Sequence, residues 1–313
     1  MKALIALAVA LSAANAAGAA EPLVTPEQLQ PLLRGADVRV IDIRDPKSFA
    51  QGHIEGAVNA PYGKWRGPAT NPGELPDQDK LDALLQSLGL TPEIHAVVVS
   101  SGADATDFGA MARVYWTLKS LGLTELSIVN GGMQAWKAAG KSTTQAAAEV
   151  RPSTYAPTFD TRWLATRSDV GKHIDLSNAA LVDSRPDAFY KGKTRAPAAK
   201  MAGTLPGAQS LDFNQWFVPG TSRFVDAGKA REIAAQLQRK DGQSTVAFCN
   251  TGHWAATDWF GLSEMAQLPN VQLYAGSMVD WTQSSEVPRV ANQPSRAESL
   301  RYDAQQWWKR TFQ

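Results

Sequence analysis

Val40-Ile41-Asp42-Ile43-Arg44 returns in the chain as Leu181-Val182-Asp183-Ser184-Arg185. Each run is aliphatic and closes on Asp-x-Arg, the pattern of a buried strand ending in a polar turn. The flanks repeat too. Leu23-Val24-Thr25-Pro26-Glu27-Gln28-Leu29 pairs with Leu164-Ala165-Thr166-Arg167-Ser168-Asp169-Val170, at the same offset of 141 residues (23 to 164, 40 to 181). Gly52-His53-Ile54-Glu55-Gly56-Ala57 pairs with Gly203-Thr204-Leu205-Pro206-Gly207-Ala208, now at an offset of 151. The ten added residues fall in the Lys/Arg/Pro-rich stretch around Lys191–Lys200. Apolar strands Ala96–Val99 and Thr245–Phe248 follow, and then Gly131–Trp136 against Ala275–Trp281. Ordered matches with slowly drifting offsets imply duplication of a unit of ordinary domain size.

Within each unit, helix-period stretches such as Leu81–Leu88 alternate with short apolar strands such as Val38–Ile43. Thr25-Pro26-Glu27-Gln28 has the pattern of a capped helix start. The alternation predicts an α/β fold in two copies, each a mainly parallel sheet with helices on both faces. Ligand sites then lie at the carboxyl ends of strands. The expected organisation is 21–140 for the first domain, 141–157 for an Ala/Thr/Ser/Pro-rich linker and 158–290 for the second domain. The tail 291–313, with Trp307-Trp308, is expected to hold a closing helix over 297–312.

Residues 1–20 read as a signal peptide: Lys2, an apolar run and then small residues, with cleavage after Ala19 or Ala20. The run is short for a membrane span. The expected product is exported, and periplasmic in a Gram-negative source, with no membrane span. Basic and acidic residues number 31 and 30, so no excess charge draws in nucleic acid.

The chain has one cysteine and four scattered histidines. That excludes an intramolecular disulfide and a Cys-rich metal cluster, and no metal or organic cofactor is expected. Cys249 closes the strand Thr245–Phe248 and opens Asn250-Thr251-Gly252-His253-Trp254-Ala255 before a helix. A thiolate at such a junction is stabilised by backbone amides and becomes nucleophilic. Gly252 lets the loop turn back on itself. His253 is the loop's other titratable side chain and is expected to change charge near neutrality.

These residues together resemble the tandem rhodanese family. Asp42-Ile43-Arg44 with Gly52-His53-Ile54-Glu55-Gly56-Ala57 matches its Asp-x-Arg and Gly-His-Ile-x-Gly-Ala elements. Cys249–Trp254 matches its six-residue Cys-x-x-Gly-x-x loop, and Gly131–Trp136 its Gly-Gly-x-x-x-Trp signature. The second unit departs from the family at Thr204, where His is usual. The resemblance implies two rhodanese-like domains. The first is silent, since its corresponding strand runs into Ser100-Ser101-Gly102.

It also implies sulfur transfer through a Cys249 persulfide, from a small-molecule donor such as thiosulfate or 3-mercaptopyruvate to a thiol or cyanide acceptor. A protein acceptor is the further option. The amides of Asn250 to Ala255 are expected to hold the sulfur's negative charge. Asp183 and Arg185 read as a structural ion pair. Family members using thiosulfate or mercaptopyruvate carry an Arg where Phe189 stands here. Lys191, Lys193 and Arg195, with Arg185, are therefore candidates for the donor's anionic end. The alternative function is an exported persulfide carrier for a protein partner. A cysteine phosphatase is disfavoured, because Ala255 stands where its phosphate-binding Arg would be. A purely structural interaction module gives no reason to retain Cys249.

Overall fold

The computed structural model describes residues 20–284, 288–295, 297–298, 304 and 308. Residues 1–19 and most of the expected closing helix over 297–312 lie outside the described residues.

The first repeat folds as β1 (Leu23–Val24), α1 (Pro26–Leu32), β2 (Val38–Asp42), α2 (Pro46–Gln51), β3 (Val58–Asn59), a 3-10 turn (Tyr62–Trp65), α3 (Gln78–Ser87), β4 (His95–Val99), α4 (Ala105–Ser120), β5 (Leu126–Val129) and α5 (Gly132–Ala138). Its sheet is parallel, in the order β1-β5-β4-β2-β3. The second repeat runs α6 (Arg167–Leu176), β6 (Ala179–Asp183), α7 (Asp187–Tyr190), β7 (Gln209–Ser210), α8 (Ala227–Ala234), β8 (Ser244–Phe248), α9 (Trp254–Trp259), β9 (Val271–Leu273) and α10 (Ser277–Thr282). Its parallel sheet is ordered β7-β6-β8-β9, and Leu164 bridges Leu273 where β1 lies in the first copy. The duplicated topology accounts for the duplicated sequence.

Local chemistry sets the elements. Thr25 accepts from the Gln28 amide, and the Gln28 side chain accepts from the Thr25 amide, so both free donors at the start of α1 are satisfied. Val97–Val99 and Val246–Phe248 are fully buried because helices cover both faces of each sheet.

The two domains share one core. Helix α4 packs between its own sheet and α9 of the second domain. Phe108 stacks on Phe224 at 4.7 Å and meets Phe260 edge-on at 5.5 Å, while Tyr115 meets Phe260 at 5.2 Å. Buried on nearly every side, α4 has almost no polar face from Phe108 to Leu118, and Arg113 is the one charge in that run. Gly109 marks a close approach of α4 to the loop before α9, since a Cβ there would lie 2.9 Å from the His253 carbonyl oxygen.

Candidate active site

Strand β8 is buried and delivers Cys249, 1% exposed, to its carboxyl end. The chain then turns through Gly252 at φ +66 and enters α9. The loop is held from below by the start of α10. The Cys249 carbonyl accepts from the Met278 amide at 3.1 Å, and the Asn250 carbonyl accepts from the Val279 amide at 3.0 Å. Ser277 is fully buried in the left-handed region at φ +54. Its hydroxyl accepts from the Cys249 amide at 3.0 Å and the Gly252 amide at 3.1 Å, and donates to the Tyr274 carbonyl at 2.8 Å.

This corrects one part of the expected amide cradle: the Gly252 amide is committed to Ser277. The amides of Asn250, Thr251 and His253 have no protein acceptor among the described residues. Ala255 is fully buried at the first turn of α9.

Asp183 and Arg185 form a buried bidentate pair, with Nε and Nη2 donating to the carboxylate at 2.8 and 2.6 Å. The remaining guanidinium donors reach the Gly203 carbonyl at 2.7 Å and Asn250 Oδ1 at 3.3 Å. The pair therefore ties β6 to the reactive loop. Arg44 and Asp42 repeat this geometry in the first domain. Thr204, in the place of His53, donates directly to Asp183 at 2.6 Å. His53 instead stacks on Phe49 and faces the carbonyls of Phe49 and Ala146.

Lys191 is exposed and pairs with Asp187 at 2.8 Å. Lys193 is exposed, and Arg195 is half-buried in the same loop. Phe189, one turn earlier, packs edge-on against Trp254 at 5.8 Å, and Trp254 stacks on Phe213 at 5.0 Å. An aromatic wall thus adjoins the loop.

The other side of the loop is built by the first domain. Arg66 Nη2 donates to the Thr251 carbonyl at 3.0 Å, and its Nη1 donates to the Tyr62 hydroxyl at 2.5 Å. Arg113 is fully buried. Its Nη2 donates to the Gly73 carbonyl at 2.9 Å and its Nη1 reaches the Gly252 carbonyl at 3.4 Å. His253 Nε2 lies 2.7 Å from the Thr106 carbonyl, so it carries the proton. Nδ1 is then the acceptor for Tyr62 at 3.0 Å.

Burial, followed by the nearby Arg66 and Arg113 charges, pushes the His253 imidazolium down to about 4. His253 is therefore neutral at physiological pH and does not switch charge there, contrary to the sequence expectation. Burial raises the Tyr62 hydroxyl, and it lowers Arg113 to about 10.

Tyr62, Arg66, Arg113 and Ser277 escaped the sequence reading. Only Arg113 left a trace there, as a lone charge in an apolar helix. Among the described residues no cluster of three or more His, Cys, Asp or Glu could hold a metal ion. No helix among them is long and apolar enough to cross a membrane.

The corresponding loop of the first domain is closed differently. Ser100 donates to Asp107 Oδ1 at 2.7 Å, and the Gly102 amide donates to Asp107 Oδ2 at 2.6 Å. That loop wraps a carboxylate of its own chain.

The rhodanese-like domain profile matches twice, over residues 25–139 and 166–284. A probable 3-mercaptopyruvate sulfurtransferase of Pseudomonas aeruginosa is 30% identical over 83% of this chain and 94% of its own length. A thiosulfate sulfurtransferase of the same organism is 28% identical, over 85% and 96%. The crystal structure of SseA from Escherichia coli shares the fold at a TM-score of 0.70 and 21% identity, over 82% of this chain and 98% of its own. Two matched domains, two sheets of one topology and a cysteine loop in the second place the chain in the tandem rhodanese-like family, the family of two-domain sulfurtransferases.

Proposed function

We propose that the chain transfers a sulfane sulfur from an anionic donor to a thiophilic acceptor through a persulfide on Cys249. The carrying observation is a single buried thiol at the end of β8, in a loop where the amides of Asn250, Thr251 and His253 have no protein acceptor among the described residues.

With thiosulfate, the Cys249 thiolate attacks the outer sulfur. The sulfur–sulfur bond of the donor breaks, and sulfite leaves with its electron pair. The new Cys–S–S⁻ carries one negative charge, held by the amides of Asn250, Thr251 and His253. A thiolate or cyanide then attacks the terminal sulfur, and Cys249 is regenerated as thiolate. Asp183 and Arg185 fix the loop's floor, and Ser277 fixes its backbone. Thiosulfate is the leading donor; relatives named for each donor support 3-mercaptopyruvate as the second. Lys193 and Arg195 remain candidates for contact with the donor's distal anion, whereas Lys191 is held in an exposed pair with Asp187.

The reading includes export. Residues 1–20 have signal-peptide composition. The Ala20 amide nitrogen lies 2.8 Å from Glu125 Oε2, so cleavage after Ala19 would place the new ammonium on a carboxylate. N-terminal sequencing of the protein purified from whole expressing cells should begin at Ala20, or at Glu21 if cleavage follows Ala20. A start at Met1 would remove the export reading.

Steady-state thiocyanate formation from cyanide with each donor tests the central reaction. Turnover with at least one donor, lost in Cys249→Ser, supports it. Absence of turnover with both, although the thiol titrates, favours a persulfide carrier.

A further inference from the structure

The reactive loop contains no lysine or arginine, yet two arginines reach it from the other domain. Arg113 is 0% exposed, and its Nε has no hydrogen-bond partner among the described residues. Its other contacts are neutral: the carbonyls of Gly73 and Gly252, and the Trp116 ring 5.0 Å away. Arg66 is half-buried and is satisfied by the carbonyls of Pro72 and Thr251 and by Tyr62. Neither has a carboxylate within ion-pair distance among the described residues.

A buried cation with no counter-ion is costly, so such a group persists where an anion completes the site. Burial and Arg66 work against the protonated form of Arg113, and the neighbouring groups that favour it are Tyr62 and then Cys249. Burial keeps Tyr62 protonated, which leaves the sulfur.

We propose that Arg113 and Arg66 are the counter-charges of the Cys249 thiolate and of its persulfide, so that the first domain supplies the cations its partner's loop lacks. This rests on Cys249 being the sulfur-bearing nucleophile. The two arginines are positioning residues, acting through the loop backbone and the local field. The Gly252 carbonyl, which faces Arg113 Nη1, belongs to the loop that cradles the sulfur, and a Cβ on Gly252 would stand 2.5 Å from that nitrogen.

The other charged or titratable groups around Cys249 do not supply this role. His253 is neutral, Arg185 is neutralised by Asp183, and Asp280 on α10 is paired with Arg167. Burial pushes the carboxyl of Asp258 on α9 well above the ordinary carboxylate range, against a negative charge there.

The test is the pH midpoint of thiolate formation at Cys249, read from the thiolate's ultraviolet absorbance after subtracting Cys249→Ser. Arg113→Met should raise the midpoint by about one unit, making the thiolate-to-thiol ratio about tenfold smaller at a given pH below it. Arg113→Lys, which keeps the charge, should recover most of the wild-type midpoint, and Arg66→Met should shift it less than Arg113→Met. A purely structural role would lower the urea midpoint of Arg113→Met while leaving thiolate formation unmoved. Wild-type midpoints in folded Arg113→Met and Arg66→Met overturn the proposal. If Arg113→Met does not fold, Arg66→Met decides the matter at a half-buried site. The thiolate signal does not depend on any donor giving up sulfur, so failure of sulfur transfer and failure of this proposal are separable.

Discussion

The loops after β4 and β8 descend from one duplicated unit and hold opposite contents. In the first, Asp107 occupies the loop, accepting from the Ser100 hydroxyl and the Gly102 amide. In the second, the residue seven positions past Cys249 is Ala256, and the loop is anchored by the Ser277 hydroxyl instead. Ser277 corresponds to Gly132, and both are left-handed, at φ +54 and +58. A Cβ on Gly132 would meet the Gly102 nitrogen and the Ser100 oxygen at 2.6 Å, so the first copy admits only glycine there. The comparison teaches that the two loops differ by more than one sulfur. One loop has a built-in carboxylate; the other has a neutral anchor, and its Asn250, Thr251 and His253 amides have no protein acceptor among the described residues.

Removing that anchor should produce the largest effect. Ser277→Ala strands two buried loop amides, at about 1–3 kcal/mol each, so kcat/KM should fall about a hundredfold while Asp107 leaves the first loop intact. An unchanged rate would show that the serine anchor does not matter.

Gly252→Ala comes next. Its Cβ would lie 2.4 Å from the Ala275 carbonyl oxygen at a positive φ, and about 2–4 kcal/mol of stability should be lost in urea. Gly207→Ala, at φ +75 with nothing within 4 Å, should cost only about 1 kcal/mol. Equal losses would mean that backbone strain alone, and not loop packing, fixes Gly252.

His253 gives the third test. Folded, it stays neutral down to about 4, whereas unfolded it takes a proton near its ordinary value of 6.5. The stability present above pH 6.5 is therefore lost as pH falls from about 6.5 to 4, by about 3 kcal/mol. His253→Gln should flatten that part of the urea-midpoint profile. A slope that survives the substitution would place its source elsewhere.

The smallest effect concerns the inserted loop. Lys191→Ala should change the donor KM by less than about twofold, because Lys191 lies in an exposed ion pair. A larger rise would bring Lys191 itself into the donor site.

Much of this was legible in the chain. Strand-ending Asp-x-Arg pairs, the Thr25–Gln28 cap and the Cys249 loop are local patterns, and each lies where its residues pointed. Arg66, Tyr62 and Arg113 were not legible, because their role depends on how α4 docks against α9, across more than a hundred residues of chain. The docking also changed His253: a loop histidine reads as a titrating group until Thr106, Tyr62 and two arginines surround it. Ser277 was hidden within a Gly-Ser-Met run aligned with Gly-Gly-Met, where a serine in a left-handed slot has no sequence signature.

The most direct test is the intact mass of three proteins after incubation with thiosulfate: wild type, Cys249→Ser, and Cys249→Ser carrying Ser100→Cys. The account predicts a gain of one sulfur atom, about 32 Da, for the wild type alone. The Asp107 carboxylate should keep the transplanted thiol from forming a stable persulfide. A sulfur gained at residue 100, or by Cys249→Ser, would contradict the claim that the two loops differ in the charge they can hold.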